Sequence, residues 1–288
     1  MRTLRIVLFL LLPLSASEKG MGGDISADNK ATIQFLESLR DNETGAFKQT
    51  AKDKSSLRAT NGAVKSLKVL GQKPTDIEKI QKFILGCYDP KTGAFAEPDG
   101  KPDATITSIG IIVACEVGID KKEFPKAMDY LLENAKTFEE VRIGAAAVEA
   151  WGRDGLKLDG FLAITNKVQN GAARAGAAIA VTQLRLGQSI PSEAMRIIKS
   201  DVLIPGQCDD GEWRKIDEKA SDIESTYRVM RAFKMLDAKP KDIPQLRKFL
   251  ESHRNNDGGS ATKPGDPSTT SGTYYRVIVS KWLDDMEK

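Results

Sequence analysis

One histidine, His253, and three cysteines, Cys87, Cys115 and Cys208, are all that 288 residues provide of the side chains that most often bind transition metals or act as nucleophiles. The cysteines stand far apart and none neighbours the histidine, so neither a zinc ribbon nor a thioredoxin-like motif is available. No Ser/His/Asp set can be assembled, no glycine-rich phosphate loop follows a strand, and no GCGEQ-like thioester sequence occurs. Asp99-Gly100 and Asp257-Gly258-Gly259 are turn chemistry without the spacing of a calcium loop. No cofactor and no metal is expected.

An excess of one charge is missing too. The chain has 43 Lys and Arg against 40 Asp and Glu, and with 6% aromatics it carries no electrostatic footprint for nucleic acid. Long apolar runs are absent apart from Ile6–Leu14, nine residues preceded by Arg2 and Arg5 and followed by Ser15-Ala16-Ser17. That is the pattern of a secretory signal cleaved after Ser17. The run is half the length of about 20 residues that a membrane span needs. The expectation is a secreted or periplasmic protein with no stable membrane span after cleavage, a leader over residues 18–30 and one domain over 31–288. Three cysteines are an odd number for an exported chain; they read as buried thiols, the alternative being a Cys87–Cys115 pair within one helical hairpin.

What is present is a repeat. Phe35, Gly45 and Phe47 lie 48 residues before Phe83, Gly93 and Phe95, and Gly71 lies 47 before Gly118. Phe35-Leu36-Glu37-Ser38 returns as Phe249-Leu250-Glu251-Ser252, an offset that carries Gly45 onto Gly259. Self-similarity at this period marks stacked supersecondary units. The unit is clearest over Phe83–Gly118: an amphipathic segment, a Gly-Ala-Phe turn, a Pro/Gly loop, then a second apolar segment closed by glycine.

Six such pairs can be placed. Helices are expected over Ala31–Arg40 and after a Ser55 or Ser56 cap up to Gly71, then over Asp76–Cys87 and Ala104–Val117, then over Glu123–Ala135 and Phe138–Trp151. The remaining pairs are Leu158–Val168 with Ala172–Leu186, Ser192–Val202 with Ser221–Leu236, and Ile243–His253 with Thr269–Leu283. Gly71, Gly118, Gly152, Gly187, Asp237 and Asp284 read as equivalent helix ends. Apolar alternation at period two is never sustained, so no strand competes. The second helix of each pair is the richer in small residues and suits an inner ring, while the Lys- and Glu-bearing first helices suit an outer one. An open solenoid needs polar caps at both ends. Here the first and last units are alike, which favours a closed ring.

The order outer helix, Gly-aromatic turn, Pro/Gly loop, inner helix resembles the repeats of protein prenyltransferase β subunits and squalene/terpenoid cyclases. The residues that carry it are Gly93-Ala94-Phe95 with Pro98-Asp99-Gly100, Gln207 with Gly211-Glu212-Trp213, and Asp257-Gly258-Gly259 with Pro264-Gly265, spread over about residues 30–284. The resemblance implies an all-α fold, an α/α toroid of six hairpins and about twelve helices. Any site then lies in the central cavity or at the mouth where the inner-helix N-termini converge.

In the prenyltransferases an Asp-x-Cys at an inner-helix start and a later His hold zinc; here Asp222-Ile223-Glu224 stands at that start and Thr273-Tyr274-Tyr275 offers no histidine. His253 itself reads as a helix-end cation or a solvated residue. In class II cyclases an Asp-x-Asp-Asp-Thr supplies the acid; Asp222-Ile223-Glu224-Ser225-Thr226 resembles it with Glu224 at the acid position. The expectation is a toroid without zinc-dependent prenyl transfer, binding an apolar ligand, a glycan or a protein partner through Trp213, Tyr227, Tyr274 and Tyr275. The alternative is a terpenoid cyclase-like or polysaccharide lyase/glycosidase-like enzyme with Asp222 and Glu224 catalytic. Tyrosines plugging the channel would instead mark a structural interaction module.

Overall fold

The structure, a computed structural model, describes residues 26–168, 171–215 and 222–288. The expected signal segment, most of the leader and the expected helix start at Ser221 lie outside the described residues. Among those described are twelve α-helices and no β-sheet: α1 (Ala27–Ser38), α2 (Leu57–Val69), α3 (Ile77–Gly86), α4 (Ala104–Glu116), α5 (Ala127–Asn134) and α6 (Phe138–Trp151), followed by α7 (Asp159–Asn166), α8 (Ala173–Arg185), α9 (Ser192–Ile197), α10 (Ile223–Met235), α11 (Ile243–Ser252) and α12 (Thr270–Met286). None is long and apolar enough to cross a membrane.

The even-numbered helices form the inner ring. Each packs on the next, α2 on α4, α4 on α6, α6 on α8, α8 on α10 and α10 on α12, and α12 returns to α2, so the ring is closed. Side chains sew this seam. The Thr270 N–H donates to Gln49 O at 3.0 Å and its hydroxyl to Lys48 O at 2.6 Å. Arg254 pairs with Asp28 at 2.7 Å, and Thr32 Oγ1 donates to Gly258 O at 2.9 Å.

One device recurs where a long loop joins outer to inner helix. The turn aromatic folds back into the hairpin, Phe47, Phe95 and Trp213 all being 0% exposed. Its buried backbone N–H then needs an acceptor. A threonine in the first turn of the inner helix supplies one: Phe47 N donates to Thr60 Oγ1 at 3.0 Å, Phe95 N to Thr107 at 3.1 Å, Trp213 N to Thr226 at 3.3 Å and, where serine replaces the aromatic, Ser260 N to Thr273 at 2.9 Å. The turn glycine then meets the next unit. Gly258 has φ +84°, and a Cβ on it would stand 2.4 Å from Ala31 O of the first unit. Gly93 approaches Lys126 of the third unit in the same way.

Several expected boundaries move. α1 starts at Ala27 because the Ser26 hydroxyl accepts from Asn29 N and caps it there, four residues before the expected start. Gly258 with its positive φ, and not Gly259, is the equivalent of Gly45, the sixth loop being one residue shorter. Asp284 does not end α12, which runs on to Met286. Asp237, with φ 49°, does serve as a left-handed terminator like Gly71, Gly118 and Gly187. α9 passes into a π-helical turn over Ile198–Leu203.

Candidate functional site

The start of α10 is built by the Gly211-Glu212-Trp213 loop. Glu212 is 0% exposed, takes the Asp222 backbone N–H at 2.9 Å on one oxygen and Arg214 on the other. Asp222 in turn caps α10, its Oδ1 accepting from Glu224 N at 2.9 Å and its Oδ2 from the Ser225 hydroxyl at 3.1 Å and Lys215 at 3.3 Å. Both carboxylate oxygens of Asp222 are thus occupied in holding a helix start.

Glu224 points along the inner face and is committed to Arg228 one turn on, which donates to it through Nε at 3.0 Å and also through Nη2. Arg228 reaches across the mouth to Glu139 of α6 at 3.2 Å, and Glu139 also pairs with Arg142 at 2.9 Å. Burial raises the Glu139 carboxyl, but these two guanidinium groups outweigh it and hold the carboxyl below its ordinary value. Arg174 of α8 joins the group; its Nε is buried with no hydrogen-bond partner among the described residues, and burial together with Arg228 lowers its pKa.

Deeper in the ring the wall becomes aromatic. Tyr227 and Tyr274 share a hydroxyl-to-hydroxyl hydrogen bond of 2.7 Å; the Tyr227 ring lies 4.9 Å from that of Tyr275 and stacks on Trp282 at 5.6 Å. Arg231 donates to the Tyr227 hydroxyl and lies over both the Tyr227 and Trp282 rings, 5.0 and 4.8 Å from their centroids. Burial pushes the Tyr227 phenol up, yet Arg231, Tyr274, Lys65 and Arg185 together bring it below the ordinary tyrosine range. Tyr274 moves the other way, raised by burial and by Tyr227.

Of the six residues expected from sequence, five lie on the inner ring: Asp222 and Glu224 at the mouth, and Tyr227, Tyr274 and Tyr275 in the wall. Trp213 does not belong with them. It is 0% exposed in the core, with Nε1 donating to Leu203 O at 2.8 Å, so it presents no surface to a ligand. The sequence reading missed Arg228, Arg231 and Trp282. Glu224-x-x-x-Arg228 is a legible i,i+4 pair, and Trp213 is legible as a core residue because it stands two after Gly211 as Phe47 and Phe95 stand two after Gly45 and Gly93.

His253 is neither solvated nor a helix-end cation. It is 0% exposed, packed edge-on against Phe249, and Nδ1 bonds Phe249 O at 2.9 Å. Since a carbonyl only accepts, Nδ1 carries the proton and the buried Nε2 is left without a partner. Burial lowers its pKa despite the Phe249 carbonyl and Asp222.

Among the described residues no zinc set assembles at the α10 start. Asp222 is spent on capping and Glu224 on Arg228, and a thiolate and an inner-ring imidazole are both wanting. Cys208, Asp210 and Glu212 do bring one ligand atom each within 4.8 Å of one another, but Arg214 pairs with both carboxylates, at 3.0 Å for Asp210, and fills the cationic role itself. The three cysteines are free and half-buried. Burial pushes the Cys87 thiol up to about 12, so it behaves as a packing residue.

Comparison with known families brings one match: the family model described as prenyltransferase alpha-alpha toroid domain aligns with residues 6–171 and again with 157–287. A comparison with curated proteins finds no match.

Proposed function

The chain belongs to the prenyltransferase α/α-toroid family, and on that premise we propose that it is an exported, ligand-binding member that does not carry out zinc-dependent prenyl transfer. The observation that carries this reading is the Glu224–Arg228 pair at the α10 start. A metal-binding toroid needs free donors there; this one has a carboxylate whose Oε1 already takes two N–H bonds from a guanidinium. Below the pair, Tyr227 packs against Tyr275 and Trp282 inside the ring, an aromatic wall that suits the apolar body of a small ligand better than a glycan or a folded partner.

The enzymatic alternative asks Asp222 and Glu224 to act on a substrate as acid and base. Both are engaged in bonds that position α10, which weighs against it. Export rests on the Arg-flanked apolar run Ile6–Leu14 and the small residues Ser15-Ala16-Ser17.

The test is titration of the mature protein with N-phenyl-1-naphthylamine, a neutral apolar fluorophore, alongside equilibrium dialysis against zinc. Saturable one-to-one dye binding, weakened by Tyr275→Ala, and no stoichiometric zinc are expected. Dye binding that never saturates, or one zinc per chain lost in Asp222→Ala, overturns the reading.

A further inference from the structure

Two clefts on the outside of the ring are one cleft repeated. The first, about 840 Å³, lies where the turn of the first unit meets α3; the second, about 740 Å³, lies where the turn of the sixth unit meets α1. Lys82, Phe83, Gly86 and Cys87 border the first, and Gln34, Phe35, Ser38 and Leu39, each 48 residues earlier, border the second. Pro98 and Asp99 correspond in the same way to Thr50 and Ala51. All the bordering residues belong to outer helices and loops and none to an inner helix, so the clefts are separate from the central cavity.

Both clefts combine apolar surface with an excess of negative charge. Half-buried Phe83, Cys87 and Tyr88 contribute apolar surface to the first. Around them four carboxylates, Glu43, Asp89, Glu97 and Asp99, stand against two ammonium groups, Lys79 and Lys82. Lys79 is engaged with the Asn42 carbonyl at 2.9 Å, and Glu97 accepts the Leu57 and Arg58 N–H groups at the start of α2. Asp99 pairs with Lys54, but at 83% and 78% exposure that pair is weak and open to exchange. Glu43 is exposed and has no side-chain partner among the described residues. Asp257 and Asp266 border the second cleft, with no cation beside them. Gly86 leaves the first cleft open, since a Cβ on it would meet nothing within 4 Å.

We infer that the two clefts form a tandem docking surface for an extended basic segment of another polypeptide. Repetition of one shape in adjacent units suits a chain, which can seat successive stretches in successive clefts so that the second contact strengthens the first. The excess of carboxylates fixes the sign of the partner's charge. An extended segment turns alternate side chains to opposite sides, so one set can cover Phe83 and Tyr88 while lysines or arginines meet Glu43 and Asp99.

Fluorescence polarisation of the mature protein with a labelled dodecapeptide of alternating lysine and leucine tests this. Saturable binding that weakens as salt rises is expected, with none for the matching peptide of glutamate and leucine. Gly86→Trp fills the first cleft and Ser38→Trp, at an exposed helix end, fills the second. Together they weaken binding tenfold or more, whereas Gly160→Trp, equally open on α7, leaves it unchanged. Glu43→Gln combined with Asp99→Asn, both exposed, weakens binding without adding bulk, which keeps the test independent of how the tryptophan variants fold. The docking surface is wrong if the lysine peptide does not bind saturably, if the glutamate peptide binds equally well, or if binding survives both pairs of substitutions. Displacement by spermine at the same concentration of positive charge also overturns it, because charge alone would then account for the binding.

Discussion

The hydroxyls of Tyr227 and Tyr274 meet at 2.7 Å inside the ring, one from α10 and one from α12, with Arg231 donating to the first of them. That contact makes the two phenols unequal. Ultraviolet titration at 295 nm should therefore detect one tyrosine ionising near pH 8, below the rest, because the surrounding cations outweigh burial at Tyr227. Tyr227→Phe should remove this early step. A titration curve unchanged by Tyr227→Phe would contradict the pairing.

Lys65 gives a stability prediction whose sign is fixed by its lowered pKa. The folded protein releases this proton at about 8, the unfolded chain at about 10.5. Below pH 8 both states are protonated and the folded state carries the full cost of the enclosed charge; between 8 and 10.5 the unfolded chain binds more protons and the cost fades. Lys65→Met should therefore stabilise the ligand-free protein at pH 7, on the order of 3 kcal/mol, with the gain shrinking as pH rises through that window. Urea melts at pH 7 and 10 measure it.

His253 moves stability at the acid end. Its folded pKa lies below the ordinary histidine value of about 6.5, so as pH falls past that value the unfolded chain takes up a proton that the folded core resists, and stability drops. His253→Gln should flatten that limb of the profile in urea melts at pH 5 to 7. A profile of unchanged slope would mean that the ring is not held neutral.

Thr226→Val should cost about 1–3 kcal/mol, since it leaves the buried Trp213 N–H without its acceptor while preserving shape. Thr60→Val should behave alike at Phe47. Differential scanning calorimetry of the two variants checks both, and an exposed control such as Thr75→Val should move little.

Ring closure is open to the same treatment. Gly258→Ala forces a side chain into a left-handed backbone and against Ala31 O, so it should destabilise by more than about 1 kcal/mol. The loss should appear as faster hydrogen exchange in α1 and α12, on either side of the seam, before other helices are affected.

Much of this ring was legible in the chain because a repeat fixes its own geometry: Phe47 and Phe95, 48 apart, occupy equivalent buried positions, and Gly71 and Gly118 end equivalent helices. The supporting threonines were legible but overlooked. Thr60 and Thr107 stand 47 apart, as do Thr226 and Thr273, yet a side chain bonding backbone a dozen residues upstream leaves no periodic apolar trace. Glu224 could be found as an acid at a helix start, and its fate as the partner of Arg228 follows from i,i+4 spacing. Lys65, Arg185 and Arg231 could not be grouped in this way. They lie on three helices spread over 166 residues, and only closure of the ring brings them within electrostatic reach of one another. The position of His253 was misread because a lone polar residue at a helix end looks the same whether it faces water or the core.

This toroid is proposed to hold a ligand and no zinc. Native mass spectrometry of the mature protein, purified gently from its own host and compared with the same sample after denaturation, tests it most directly. A small molecule lost on denaturation, retained less well by Tyr275→Ala, and a polypeptide mass beginning at Glu18 are expected. A bare polypeptide mass before denaturation, or a zinc adduct of one ion per chain, would contradict it.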